Sequence, residues 1–486
     1  MRPSSATELE VVILGAGMSG LCMAIQLQRA GIQDFLIVEK STGIGGTWWN
    51  NRYPGAQVDI PAPAYSFSFA PNPHWTHRFA DAPEIQRYQQ ALAEQHGLLA
   101  RTRLGVAITE ARFDADTGRW QLSLDGGEIL SARFFVCSTG QLNQARWPDI
   151  PGLGGYRGQV LHSARWPQGA DLAGRRVGVI GTGSTGAQLV PALARQVAGL
   201  KVFQRTANWV LPRVDRRYGR LDRWLMGLPG YGRFAHKAWS RAMDQGRSGF
   251  EEGTLSRRAV VAVAGWHLRR QVADPALRAA LAPGYPLGCK RIIYSSDYYP
   301  ALSLPTSELV TTGMVGITPA GVLTADGREH ALDALVCATG YDTTHPLRDL
   351  RVAGQGGRLL AEAWRGGPRA YLGITVPDFP NFFLMLGPNT LTGHNSALLS
   401  LEPQVAHAIA CMQRVRREGR QWIAVKAAVA AAQDAAQQQR LAASVWNRCN
   451  SWYRTEGGRI VAIWPGYASD YERAARRVDE SAYELG

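Results

Sequence analysis

A chain of 486 residues can bury a large core and divide into two to four domains, and 45% hydrophobic with 19% charged residues is ordinary for a soluble globular protein. The net charge of +14 raises nucleic acid as a partner, but no zinc-finger, RRM or KH pattern is present. The reading is therefore a basic enzyme whose cofactors are anionic, with no nucleic-acid partner. Cys22, Cys137, Cys289, Cys337, Cys411 and Cys449 stand far apart with no CxxC pair, so neither a structural metal site nor a disulfide framework is expected, and a reducing cytoplasm fits. Arg2 precedes a polar run rather than a secretory core, and no apolar stretch approaches the roughly 20 residues that span a bilayer.

The first chemistry-bearing unit runs from Val11 to Glu39. An apolar strand, Val11–Leu14, meets G-x-G-x-x-G at Gly15, Gly17 and Gly20. Leu21 to Arg29 has helical periodicity, Gly31 ends that helix, and Phe35–Val38 forms a second strand closed by Glu39. Glycines at these spacings allow a tight turn and close backbone approach, so that a helix N-terminus faces a pyrophosphate. Glu39 lies 24 positions past Gly15, where a carboxylate can take ribose hydroxyls and disfavours a 2′-phosphate. The continuation GIGGTWWNNRYPGAQVD, with its Gly-Gly pair, resembles FAD-binding members of the two-dinucleotide flavoproteins.

The pattern returns at Val177–Ile180, with Gly181, Gly183 and Gly186 and a following helix. The next strand, Leu200–Phe203, leads to Arg205 and Thr206, and Arg205 again sits 24 positions past the first glycine. A guanidinium there suits a 2′-phosphate, so the two units read as FAD first and NADPH second; a solvated surface arginine is the alternative. Val136–Gly140 and Val336–Gly340 echo each other, each an apolar strand ending in Thr-Gly, and they bracket the second unit as the crossing points of an inserted domain would. The fold class follows as α/β, two Rossmann-like dinucleotide-binding domains with the NADP domain inserted in the FAD domain, plus a helical excursion. The expected division is 1–150 and 336–486 for the FAD domain and 151–335 for the NADP domain.

Residues 211–288 are the excursion, basic and aromatic, with helices expected over 256–271 and 275–281. A cover over the substrate cleft that touches a membrane is one reading of it, and a solvated helical excursion is the other. Further on, 380–395 reads as a buried strand running into a turn-rich loop, and 421–443 as an Ala/Gln-rich helix. Cys449–Tyr453, followed by Gly457-Gly458, reads as a mobile loop carrying an aromatic plug.

Two segments carry a family resemblance. One is YxGxxxHxxxWP at Tyr156, Gly158, His162, Trp166 and Pro167; the other is GGxWxxxxYPGxxxD at Gly45, Gly46, Trp48, Tyr53, Pro54, Gly55 and Asp59. Both resemble the fingerprints of Baeyer–Villiger monooxygenases, class B FAD- and NADPH-dependent flavoproteins, with Tyr156 where the family more often has Phe. The resemblance spans about Val11 to Gly466. It implies conversion of ketones and O2 to esters or lactones through a C4a-peroxyflavin; related flavin-containing monooxygenases oxygenate soft S or N atoms instead. Carried over from the Gly-x-Lys-Arg stretch at Gly288–Arg291, Arg291 is the catalytic arginine over the flavin, Asp59 its partner, and Lys290 an aid to the 2′-phosphate. Trp452 resembles the mobile-loop tryptophan, and Tyr156, Gly158, His162 and Trp166 a joint between domains. Cofactor contacts are further expected at Lys40, Gly46, Thr47, Trp48, Asp59, Tyr65, Ser184, Thr185, Thr339 and Asn389. A monomer or weak oligomer is expected.

Overall fold

The structure, a computed structural model, describes residues 7–486. The first sheet grows from β1 (Thr7–Leu14), whose last four residues are buried. The loop after β1 feeds α1 (Met18–Arg29), and β2 (Phe35–Glu39) returns parallel to β1, pairing Leu14 with Val38. Helix α2 (Ala82–Gln95) begins at Asp81, whose carboxylate accepts from the Glu84 amide as an N-cap. Four more strands follow: β3 (Thr102–Leu104), β4 (Ile108–Asp114), β5 (Arg119–Leu124) and β6 (Ile129–Cys137).

The chain then builds a second sheet from β7 (Gln159–His162), β8 (Arg176–Ile180) and β9 (Gly199–Phe203), with α3 (Ser184–Leu193) between the last two. The excursion contributes α4 (Arg220–Gly227), α5 (Tyr231–Gln245) and α6 (Leu255–Gln271). The sheet is completed by β10 (Ser307–Val310) and β11 (Ala334–Cys337), in the all-parallel order β10-β9-β8-β11-β7. It thus runs two residues past the expected boundary at 335.

Finally β12 (Arg351–Ala353) and β13 (Phe382–Leu384) rejoin the first sheet, β12 at its edge beside β4 and β13 against the end of β6. Helix α7 (Leu398–Arg417) lies against α1 and α8 (Ala468–Arg476). The stretch expected as one helix over 421–443 divides. Ile423–Val425 pairs with the C-terminal strand Tyr483–Leu485, and only Ala427–Ala442 is helical, because three apolar residues are held by a sheet partner far along the chain.

The apolar core runs through both sheets: Val11 and Ile13 of the first and Val177 and Val179 of the second belong to one buried cluster. A separate buried cluster joins Phe250 of the excursion, Leu287, Cys289 and Ile292, and Trp446 and Tyr453 of the C-terminal region. Here the expectation about cysteines fails: Cys289 and Cys449, 160 positions apart, form a disulfide. Spacing along the chain carries no information about which loops meet in space, and these two meet inside that cluster. The other four cysteines are buried free thiols.

The excursion is held to the body by Asp244 on α5. Its carboxylate accepts from the Ala468 amide at 2.8 Å, at the start of α8, and lies 3.1 Å from His394 Nε2. Burial pushes this carboxyl up, but hydrogen bonds from His394, Ser469 and Ala468 outweigh it and hold the value at about 2. A carboxylate held below its ordinary value stabilises the fold above about pH 4, and that stability is lost as pH falls toward 2. Asp244→Asn is therefore expected to cost on the order of 1–3 kcal/mol at neutral pH, seen as a lower melting temperature. It should also flatten the acid limb of a fluorescence-monitored unfolding curve below about pH 4. Cys449→Ser opens a cross-link of a kind worth about 2–4 kcal/mol. It should make residues 446–459 the first site cut in limited proteolysis, with dithiothreitol reproducing the effect in the unmutated chain.

Candidate active site between two nucleotide loops

In the first loop Gly15 has φ +104°, and a Cβ on it would sit 2.9 Å from the carbonyl oxygen of Ser138. A Cβ on Gly20 would overlap the Gly15 carbonyl, so helix α1 can approach the turn only with glycine there. Gly181 repeats the arrangement at φ +107°, facing the carbonyl of Ala338, and Gly186 faces the carbonyl of Gly181. The two Thr-Gly echoes thus have a second meaning. Each is the strand end on which the first glycine of its own nucleotide loop rests.

Glu39 ends β2 and is buried. One carboxylate oxygen accepts from the Ala16 amide and the other from the Ser41 amide, both at 2.8 Å, which leaves a lone pair on each for ribose hydroxyls. In the second unit Arg205 is exposed, and Lys290 is pushed below its ordinary pKa first by burial and then by the nearby Arg205 guanidinium. Two cations brought together with no carboxylate among the groups acting on Lys290 suit a phosphate dianion. Ser184 and Thr185 open α3 with Gly183 as its N-cap, so that helix presents free amides beside them.

The segment from Gly45 to Asp59 touches every part of the site. Gly45 donates its amide to Ala16 O at 3.0 Å, and a Cβ on Gly46 would lie 2.9 Å from Gly17 Cα, so the Gly-Gly turn rests on the first loop. Thr47 and Trp48 start a short helix capped by Gly46. Trp48 Nε1 donates to the Tyr65 hydroxyl at 2.9 Å, and burial raises the Tyr65 hydroxyl to about 12. Tyr53 donates to Gln188 on α3 at 2.8 Å, and Gly55, at φ +81°, faces the Gln188 carbonyl, so the Tyr-Pro-Gly turn rests on the second unit. Asp59 then meets Arg291, Oδ1 to Nη2 at 2.6 Å.

That ion pair spans 232 positions of sequence. The Asp59 charge raises Arg291 above its ordinary value, against burial acting the other way. The Arg291 side chain keeps 41% of its surface open and that of Asp59 16%, so the guanidinium is held through one terminal nitrogen while part of it stays open to solvent. Asp59, Ser184, Gln188 and Tyr294 line one recess.

Other expected residues fall nearby or elsewhere. Lys40 Nζ donates to Asn143 at 3.0 Å. Thr206 gives its carbonyl to the Thr182 hydroxyl at 3.2 Å, which ties the end of the second β-strand to the glycine loop. Asn389, at φ +57°, spends its side-chain amide on the carbonyls of Ile460 (2.9 Å) and Ile463 (3.0 Å) and its backbone N–H on Val461 O (2.7 Å), so only its Oδ1 and backbone carbonyl remain for a cofactor. Trp452 accepts at its backbone carbonyl from the Thr343 hydroxyl at 2.7 Å, and its ring lies 4.4 Å from that of Tyr453.

The Tyr156–Pro167 segment stands apart from the ion pair. Tyr156 donates to Leu332 O at 3.0 Å. His162 accepts the Ala164 amide at Nδ1 and presents Nε2 to Arg146 O at 3.1 Å, a pattern that puts its single proton on Nε2. Thr339 donates to the same Arg146 carbonyl. His162 thus ties the outgoing linker to the returning strand, and burial lowers its pKa, so it is neutral at pH 7. Trp166 is buried in the core shared by both sheets.

Sequence reasoning passed over Tyr294 and Tyr453. Both lie near enough to Arg291 to feel its charge, and burial raises Tyr453 to about 12. The available signal was position alone, three residues past Arg291 and one past Trp452.

Comparison with known proteins agrees with this geometry. Residues 13–82 match the family model described as an NAD(P)-binding Rossmann-like domain. The chain is 38% identical to a Baeyer-Villiger monooxygenase of Pseudomonas aeruginosa over 99% of this chain and 92% of that protein. It is 37% identical to another of Streptomyces coelicolor over 98% and 92%. Among solved structures it resembles an oxidized steroid monooxygenase bound to NADP, with 31% identity, 99% of each chain covered and a TM-score of 0.88. It also resembles cyclohexanone monooxygenase from Rhodococcus sp. Phi1 bound to NADP+, with 27% identity, 99% of each chain covered and a TM-score of 0.89. With more than a third of its residues shared along nearly the whole length of the first two, the chain belongs to the Baeyer–Villiger monooxygenase family.

Proposed function

We propose that this protein is an FAD-containing, NADPH- and O2-dependent monooxygenase that converts ketones to esters or lactones. The observation that carries the reading is the Arg291–Asp59 pair, placed where Trp48 and Tyr65 approach from the first nucleotide unit and Ser184 and Gln188 from the second. FAD, reduced by NADPH, supplies the electrons that activate dioxygen. The chain's own part is to hold a fixed positive charge beside the reacting oxygen and to keep bulk water away.

Arg291 suits the first task. Asp59 fixes the guanidinium at one edge and, by raising its pKa, makes it a poor proton donor, so it stabilises negative charge without quenching it. Oxygenation of soft sulfur or nitrogen calls for a proton donor at that point, which this pair does not supply. Burial raises Tyr65 and Tyr453 to about 12, so both stay neutral through the working pH range. For the second task, the Trp452–Tyr453 loop is the part of the chain assigned to exclude water: it is tied down by the Cys289–Cys449 bond, and Tyr453 lies near enough to Arg291 to feel its charge.

In the cofactor assignments Gly15, Gly17, Gly20 and Glu39 hold the FAD adenosine and pyrophosphate, and Gly46, Thr47, Trp48 and Tyr65 lie toward the flavin. Gly181, Gly183, Gly186, Ser184 and Thr185 hold the NADPH pyrophosphate, and Arg205, Thr206 and Lys290 its 2′-phosphate. The division at 1–150, 151–335 and 336–486 is supported by the membership of the two sheets, except that the last strand of the second sheet runs to Cys337. A cytoplasmic monomer or weak oligomer is the setting we propose; the four buried free thiols fit a reducing compartment and the Cys289–Cys449 bond counts against it.

Arg291→Ala is expected to leave flavin bleaching by NADPH within about threefold of normal while ester or lactone formation falls by at least about 10², measured by stopped-flow absorbance and gas chromatography. Retained lactone formation would sink the assignment. Arg205→Ala should raise the KM for NADPH by about 10–100-fold, the worth of a charge-assisted phosphate contact, and leave the KM for NADH nearly unchanged. Steady-state kinetics with both nucleotides checks it.

A further inference from the structure

The excursion carries more exposed apolar surface than its share of the chain. Nine of the fifteen large hydrophobic side chains exposed among the described residues fall between Val214 and Trp266, about a ninth of the sequence. They are not scattered. Leu221, Trp224 and Leu228 recur at i, i+3 and i+7 along α4 and its C-terminal cap, which puts them on one helix face, and the first two are 67% and 61% exposed. Phe234, 67% exposed, follows on α5, which contacts α4. On α6, Leu255 is 79% and Trp266 54% exposed, with Val261 and Val263 also open, while Ala264, His267 and Leu268 turn inward.

Helix α5 is inverted relative to an ordinary surface helix. It buries His236, Ser240 and Asp244 against the body and leaves Phe234 in solvent. Isolated exposed apolar residues need no explanation, but an outward apolar stripe on α4 joined by further exposed apolar side chains on the two helices that follow marks an interaction surface.

The charges beside these stripes identify the occupant. Between Val214 and Arg270 stand twelve basic and five acidic residues, a net +7 and half of the chain's +14. The acidic residues are engaged locally: Asp222 with Arg216, Asp244 with His394 and Ala468, Glu251 with Arg247, Glu252 with Arg257 and Arg448, and Asp215 with the Phe79 and Arg216 amides. Arg220, Arg223 and Arg233 on the hairpin and Arg258, Arg269 and Arg270 on α6 are exposed. A second copy of this chain would set +7 against +7, and a nucleic acid would meet the arginines but leave the leucine and tryptophan stripes in water.

We propose that α4, α5 and α6 form a docking surface for an anionic phospholipid bilayer, with the leucine, phenylalanine and tryptophan side chains in the headgroup–acyl boundary and the arginines on lipid phosphates. No helix among the described residues is long and apolar enough to cross a membrane, so the contact is peripheral. This proposal does not depend on the reaction assigned above.

Flotation of the full-length protein on sucrose gradients tests it. Vesicles of phosphatidylcholine with about 30% phosphatidylglycerol should carry most of the protein upward. Vesicles of phosphatidylcholine alone should not, and salt at about 0.5 M should release most of the bound protein. Leu221→Glu with Trp224→Glu, and separately Leu255→Glu with Trp266→Glu, should lower the floated fraction at least about tenfold in one pair or both. Flavin absorbance and melting temperature, which these exposed sites do not touch, should stay unchanged. Arg220→Glu with Arg223→Glu should act in the same direction. No flotation on anionic vesicles, flotation that survives all three paired substitutions, or a dimer in sedimentation that the apolar substitutions dissolve would each overturn the proposal.

Discussion

The structure depends on one ion pair made across 232 residues, between Asp59 and Arg291. Asp59 closes a segment that begins on the first nucleotide loop, and Arg291 follows directly on the lysine that faces Arg205 of the second. Neither partner has a reason to be there alone. A guanidinium without Asp59 would lose the contact that fixes its edge, and a carboxylate without Arg291 would sit half-desolvated beside a cleft meant for anions. The pair joins a segment resting on the first nucleotide loop to one beside the second, so it forms only when the two units hold one orientation.

The two units meet the same steric constraint in the same way. In each, the first glycine of the loop lies against the carbonyl that precedes a Thr-Gly, so any side chain there would drive the central strand away from its neighbour. The differences come one strand later, where a buried carboxylate, Glu39, ends the strand in the first unit and an exposed guanidinium, Arg205, follows it in the second. The repeated scaffold thus carries opposite single charges at equivalent positions, on which the proposed division between the two dinucleotides rests.

Much of this was legible because the interactions are local. Gly15 to Glu39 and Gly181 to Arg205 each form within about 25 residues, so strand, turn and helix signals occur together in the sequence. What was not legible came from contacts between distant segments. The Cys289–Cys449 bond, the hold of Asp244 on the start of α8, and the capture of Ile423–Val425 by the C-terminal strand depend on the completed fold. No spacing or periodicity announces them. Asn389 shows the same limit from the other side: its place near a turn-rich loop suggested a cofactor contact, while its amide is spent on two carbonyls more than seventy residues away.

The Tyr156–Pro167 segment is conspicuous in sequence, yet its histidine is a poor candidate for chemistry. With Nδ1 occupied by the Ala164 amide and Nε2 directed at Arg146 O, His162 has no free nitrogen for a substrate, and burial keeps it neutral. Arg146 O also receives the Thr339 hydroxyl, so one carbonyl in the outgoing linker gathers the last strand of the second sheet and the fingerprint strand together. Breaking these contacts would leave the buried imidazole of His162 without its acceptor. Asp59 and Arg291 lie on either side of that segment in sequence. A small error in the angle between the units would separate two charges that meet at 2.6 Å.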